Sequence, residues 1–421
     1  MRALLMSFSN SGGGADRAAQ RIHDAVQRSG VDATLAVAEV VEHVPGTREI
    51  PYRGLPGHRF LRRNVGDWAL WLQKSSNPMH RSINIVPSGA LPFVNSPEWD
   101  VVHLHWMGRD TLSITDIGKI QHPIVWTLHD SWPFSGADHH PEDEHDDRFA
   151  HGYTSESRRP GNSRFDLDAW VFHRKVRAWK RPLWLAAPSR YMAELASRST
   201  LTSTWPCRVI PNPIDTDVFS PSTDAARDAR VRDRLGVDPT APLLLVGSSP
   251  GSPRNKGWDL LVPALRSLAV RFPDVTCVQF GGDESLARGE TGLPLIRTGH
   301  IHDVSQLVDL YRTATAMIVP SRLESFSQTA AEAQACGTPV VAFATSGLLD
   351  VVEDGGSGLL ARPGDSRSLS ESIERLITDD GLRARLSNRA RERAERLWSP
   401  AVVGKAYREW YHEALGVDEN A

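Results

Sequence analysis

The sequence predicts an α/β fold built from two Rossmann-like units. Apolar runs of strand length alternate with stretches of helical periodicity, and this alternation restarts near Pro242. The 421 residues also exceed what one hydrophobic core usually holds, and a hydrophobic content of 40% is enough for two.

In chain order, residues 2–8 read as a first strand and Gly12-Gly13-Gly14 as a tight loop. Ala15 to Arg28 reads as a helix with Ala18, Ala19, Ile22, Ala25 and Val26 on one face. Gly30 closes that helix, and Thr34 to Val41 resumes extended structure. Further strands are expected at Val101 to His105, Ile124 to Leu128 and Trp184 to Pro188. Pro211-Asn212-Pro213 and the polar stretch from Ser220 to Arg234 then separate the two patterns, which gives units of 1–211 and 212–399. The second pattern is strand Leu243 to Val246, helix Trp258 to Arg271, strand Val275 to Phe280, a strand near Leu295 to Thr298, helix Val304 to Tyr311, and strands Ala316 to Val319 and Val340 to Phe343. Helices are expected through the rest.

A formal charge of −3 gives no general attraction to nucleic acid. Cys207, Cys277 and Cys336 are odd in number and far apart, which argues against a disulfide framework and fits a reducing compartment. No run of eighteen apolar residues occurs, and the N-terminus reads as a strand entering a loop, not as a signal sequence. The expected location is cytoplasmic.

The most specific chemistry lies between Pro320 and Phe343. Glu324 and Glu332 stand eight residues apart across Ser325-Phe326-Ser327 and a short helix closed by Gly337. That helix follows a parallel strand, so its free N–H groups face the crevice where open α/β sheets hold ligands and can bind a phosphate. The two carboxylates beside it can accept hydrogen bonds from sugar or ribose hydroxyls. A sugar nucleotide is the ligand this chemistry suggests.

The Glu, seven residues, Glu spacing followed by Ala-Cys-Gly-Thr-Pro-Val-Val resembles the donor-site signature of retaining glycosyltransferases of family 4. The resemblance implies the GT-B architecture: two Rossmann-like domains facing across a cleft, with a last helix, about residues 400–421, returning to the first domain. It implies that Glu332 holds the ribose, Glu324 the transferred sugar, and Ser325, Phe326 and Ser327 the donor. It also assigns Gly13 and Gly14 to the donor diphosphate. Gly247 and Ser248, with Arg254 and Lys256 downstream, resemble the family's diphosphate clamp, although Ser248 stands where many members carry an arginine; Arg254 is the candidate substitute. Such cations stabilise the charge that builds on a departing diphosphate.

The run Trp126-Thr127-Leu128-His129-Asp130-Ser131-Trp132 resembles the family segment that brings a histidine to the reaction centre, here His129. Asp130, His105 and Trp132 are the acceptor-side candidates. Asp138, His139 and His140, with the acidic residues after them, match no firm metal spacing and read as a polar loop. The resemblance implies that neither a metal nor a cofactor is needed, the nucleoside diphosphate sugar being a co-substrate. Two basic aromatic stretches, around Arg59 to Leu72 and from Trp170 to Trp184, are candidates for peripheral contact with anionic lipid. The function expected is a hexosyltransferase-type enzyme moving sugar to a hydroxyl of a glycan, a lipid-linked glycan or a small molecule. Rivals are a nicotinamide-dependent oxidoreductase, suggested by the glycine loop, a GT-B-like epimerase or phosphorylase, and a silent nucleotide-binding module.

Overall fold

A computed structural model describes residues 1–41, 44–53, 81–140, 146–158, 165–248, 255–282 and 289–417. The chain divides into two compact units. One comprises Met1–Pro213 and Val403–Ala421, the other Ile214–Val402.

The first unit holds a seven-stranded parallel sheet: β1 (Arg2–Ser9), β2 (Asp32–Glu39), β3 (Thr47–Glu49), β4 (Val101–Leu104), β5 (Ile124–Thr127), β6 (Trp184–Ala187) and β7 (Cys207–Val209). Their order is β3-β2-β1-β4-β5-β6-β7. The order in which strands are added reverses between β1 and β4, and the crevice outside the carboxyl ends of such a pair is the usual ligand position. The two faces carry separate apolar layers, one around Met6, Leu104, Trp126 and Phe134, the other around Leu5, Val37, Val125 and Ile210. β3 and β7 are short edge strands with too few apolar residues to show as a run in the sequence.

The last helix, Pro400–Leu415, covers the second of these faces. Val403, Gly404, Tyr407, Trp410 and Tyr411 recur at helical spacing and are buried. Gly404 permits close approach to the helix Gly14–Arg28, since a Cβ there would lie 2.1 Å from the Ala25 carbonyl oxygen.

The second unit repeats the plan with a six-stranded parallel sheet: β8 (Leu243–Ser248), β9 (Thr276–Gly281), β10 (Leu295–Gly299), β11 (Ala316–Val319), β12 (Val340–Phe343) and β13 (Gly358–Ala361). The order is β10-β9-β8-β11-β12-β13, with the reversal between β8 and β11. β13 corrects the expectation of helices alone after Phe343. Gly358 starts it with its Cα so close to β12 that a Cβ would meet the Val340 carbonyl oxygen at 2.2 Å, and that glycine masks the strand signal in the sequence. Helices Trp258–Arg271 and Ser366–Thr378 cover one face, and Val304–Thr313, Gln328–Ala335 and Asp380–Trp398 the other.

Candidate functional site

In the second unit the predicted residues converge on the carboxyl ends of β8 and β11. Gly257, at φ +67°, ends the loop after β8, and a Cβ there would sit 1.9 Å from the Pro320 carbonyl oxygen. This contact brings the loop end against the segment after β11, where the Arg322 N–H donates to the Asn255 carbonyl at 2.8 Å. As a result Lys256 Nζ lies 2.7 Å from Glu324 Oε1, an oxygen that also accepts from the Ser321 hydroxyl at 2.8 Å. The Glu324 backbone is fixed as well. Its N–H donates to Ser346 Oγ at 2.9 Å and its carbonyl accepts from Gly347 N at 2.9 Å. The pair is only partly buried, with side chains 30% and 13% exposed, so it contributes little to folding and leaves its charges within reach of a ligand.

Ser325 is half-buried at the start of the turn into the helix Gln328–Ala335. Phe326 departs from its expected role at the donor: it is 2% exposed and lies edge-on to Trp398 at 5.9 Å, so it anchors the turn from within the core. Ser327 precedes the helix at φ +81°, a region that favours glycine, and no side chain caps the helix. Its hydroxyl is buried without a hydrogen-bond partner. Glu332 is buried in the middle of the helix, with Oε2 accepting from the Tyr311 hydroxyl at 2.8 Å. Gly247 and Ser248 end β8, and Gly247 is packed against the Phe280 ring. Arg254 lies outside the described residues, as do residues 59–72 and Asp143, Glu144 and His145.

In the first unit Gly13 and Gly14 lie exposed after β1, with the Gly13 N–H donating to Asp16 Oδ2 at 3.1 Å. Burial raises Asp16 to about 6 despite that bond. The neighbouring strands carry a histidine array. His105 Nδ1 lies 3.0 Å from His129 Nε2 with the rings stacked, and His103 lies beside His105 at 4.2 Å between ring centroids. His103 is held by the Tyr411 hydroxyl at 2.7 Å and Thr127 Oγ1 at 2.8 Å, and Thr127 is held in turn by Tyr407 at 2.9 Å. Burial pushes His129 down to about 4, with Asp130 opposing weakly, and lowers His103 and His105 well below the usual histidine range. All three rings are therefore neutral at pH 7.

The loop from His129 to His139 is internally bonded. Asp130 Oδ1 accepts from Trp132 N at 3.0 Å, and Oδ2 lies 2.5 Å from His139 Nδ1, whose ring reaches Ser82 Oγ through Nε2 at 2.8 Å. Burial alone would raise Asp130; the His139 contacts and the Trp132 N–H overcome it and hold the carboxyl at about 2. Asp130, His105 and Trp132 were expected to meet an acceptor. The structure buries all three, and Asp130 directs both oxygens into its own loop. Trp132, 1% exposed, is stacked on His139 and donates Nε1–H to the Ser82 carbonyl, so no face is left for a sugar ring.

Beneath this loop is Lys175, part of the basic aromatic stretch that was a candidate for contact with anionic lipid. It is fully buried in the helix Leu167–Ala178, donating to the Trp132, Ser135 and Gly136 carbonyls with its ammonium 3.8 Å from the Trp132 ring centroid. Burial drags its pKa well below normal, whereas three carbonyls match the three N–H donors of an ammonium. The spacing Leu167, Asp168, Val171, Phe172, Lys175, all buried, was the available signal, because it puts the lysine on the apolar face. Arg81 completes the support through Asp138 at 2.6 Å and Asp168 at 3.5 Å. Among the described residues no group of three or more His, Cys, Asp or Glu side chains could hold a metal ion, and no helix is long and apolar enough to cross a membrane.

Residues 243–393 match the family described as Glycosyl transferases group 1. A D-inositol 3-phosphate glycosyltransferase of Xylanimonas cellulosilytica is 37% identical over 210 residues, which are 46% of this chain and 49% of the relative. One from Streptomyces bingchenggensis is 41% identical over 205 residues, 44% of each chain. The chain thus spans about half the length of the curated relatives it matches. A solved structure of Anabaena Alr3699/HepE in complex with UDP-glucose superposes with a TM-score of 0.68 at 18% identity, covering 97% of this chain and 98% of that one. That likeness shows the fold, two Rossmann-like α/β units in GT-B fashion. Residues 243–393 form a glycosyl transferases group 1 domain within it.

Proposed function

We propose that the protein is a retaining, family 4 hexosyltransferase that moves a sugar from a nucleoside diphosphate sugar to a hydroxyl acceptor. The observation that carries this reading is the Lys256–Glu324 pair, 2.7 Å apart beside the uncapped start of the helix Gln328–Ala335. A half-exposed ammonium and a row of helix N-terminal N–H groups suit an anion of two phosphates. As the bond to the sugar breaks, negative charge moves onto the diphosphate; Lys256 and the helix terminus stabilise it there. Glu324, positioned by Ser321 and Ser346, accepts from a hydroxyl of the transferred sugar; the ribose role of Glu332, whose side chain is buried against the Tyr311 hydroxyl, rests on the family resemblance alone. The HepE structure contains UDP-glucose, which supports a donor of this class. The resemblance also gives His129 a part in the reaction. The acceptor belongs to the hydroxyl class of glycans, lipid-linked glycans or small polyols; relatives named for D-inositol 3-phosphate make that compound the first small acceptor to assay.

A thermal-shift panel of UDP, GDP, ADP, CMP and NAD, with the corresponding sugar conjugates, tests the reading. A ligand at one hundred times its dissociation constant adds about 2.7 kcal/mol of stability. One nucleoside diphosphate and its sugar should stabilise the wild type and not Lys256→Ala. Stabilisation by NAD alone would overturn the proposal. Once a donor is known, the anomeric configuration of the product tests retention.

A further inference from the structure

Among the described residues, His129 makes one side-chain hydrogen bond, to another histidine. Its Nε2 faces His105 Nδ1 at 3.0 Å, while its Nδ1 has no partner among the described residues and the residue keeps 8% of its surface exposed. His105 itself is locked: its N–H donates to the Met6 carbonyl at 2.9 Å, its carbonyl accepts from Trp126 Nε1 at 2.8 Å, and His103 lies against its ring. Its Nε2 is buried and has no partner among the described residues.

Two neutral imidazoles share one hydrogen bond, so only two arrangements exist. If His129 Nε2–H donates, His105 must carry its proton on Nε2, and a buried N–H is left without an acceptor. If His105 Nδ1–H donates, only a bare lone pair is left there. Orphaned N–H groups are the rarer of the two in folded proteins.

We propose that His105 is the positioning residue of His129, donating its Nδ1–H to His129 Nε2 so that His129 presents an Nδ1–H donor to the bound ligand. His129 then acts as a fixed hydrogen-bond donor to an oxygen of the donor sugar or acceptor, not as a base.

Imidazole nitrogen-15 NMR of histidine-labelled, unliganded protein at pH 7 reads the tautomer directly, with the His129 signals assigned by their loss in His129→Ala. The expected result is a protonated Nδ1 and a bare Nε2. His105→Asn keeps an N–H where Nδ1 stood; it should preserve that tautomer and hold kcat within about threefold of the wild type. His105→Phe removes the donor, should shift His129 toward the Nε2–H form, and should lower kcat at least tenfold while leaving the affinity for nucleoside diphosphate unchanged. A wild-type His129 protonated on Nε2, or a tautomer indifferent to His105→Phe in a folded variant, overturns the proposal. The activity measurements rest on the glycosyltransferase reading; the NMR does not, so failure of one is distinguishable from failure of the other.

Discussion

The two units place their candidate residues at equivalent points of similar sheets, yet treat polarity in opposite ways. In the first, the histidines, Asp130 and Lys175 are all buried and bonded to one another or to carbonyls. In the second, Lys256 and Glu324 form a pair that solvent still reaches. A buried polar network fixes geometry and is expensive to disturb, whereas a half-exposed ion pair contributes little to folding and readily exchanges partners. The first unit therefore holds its polar groups in fixed positions, whereas the second leaves an ion pair within reach of solvent.

Four measurements can break or sharpen this contrast. Lys175→Met leaves three buried carbonyls without their donor and should cost about 3–5 kcal/mol of stability. A denaturation midpoint within error of the wild type would show that the loop is held without it. Lys256→Ala and Glu324→Ala should do the reverse, lowering transfer at least tenfold, about 1.4 kcal/mol in the barrier, with melting temperatures close to wild type. Wild-type turnover by either purified, folded variant sinks the catalytic assignment.

Acid should act on the first unit before the second. Burial holds His129 at about 4 and keeps His103 and His105 well below the usual histidine range, so the folded unit resists protons that the unfolded chain takes up near 6.5. Their contribution is complete above 6.5 and is lost as the pH falls from 6.5 toward 4. Asp138, raised to about 7 by burial and Asp168, and Asp16, at about 6, oppose this by gaining protons in the fold over the same range. Three histidines against two carboxyls leave a net loss of stability as the pH falls through this range. Tryptophan fluorescence can follow it, because ten of the thirteen tryptophans precede residue 211 and Trp410 belongs to the same unit. A first-unit midpoint that does not fall between pH 7 and pH 5 would contradict the neutral histidine array. The smallest effect is expected at Ser327. Glycine there relieves the +81° φ and should raise stability by about 0.5–1 kcal/mol; a decrease would mean that the turn depends on the serine side chain.

Much of the fold was legible because strand and helix periods are local. The helix after β1, the strands flanking each reversal and the glycine that closes Gln328–Ala335 could all be read from neighbouring residues. A spacing resembling a known family singled out Glu324 and Lys256, and the structure brings these two side chains together. What failed was burial. Phe326 and Trp132 were expected at ligands and are core residues, because a sequence does not show which side of a loop faces inward. Lys175 looked like surface charge because its carbonyl partners lie some forty residues earlier, and the partners of His103 on the last helix are 308 residues away. Polar satisfaction across such separations is a property of the packed unit and leaves no local pattern.

That last contact also orders events during synthesis. Tyr407 and Tyr411 close the face of the sheet on which Thr127 and His103 sit, and the chain reaches them only after all of residues 214–402 have been made. The unit begun first is thus finished last, and until its final helix arrives it carries an open apolar face with two polar groups awaiting partners. The second unit, contiguous in sequence, can close without waiting, so a nascent chain holds one finished unit and one unfinished one, and it is the unfinished one that needs protection from aggregation.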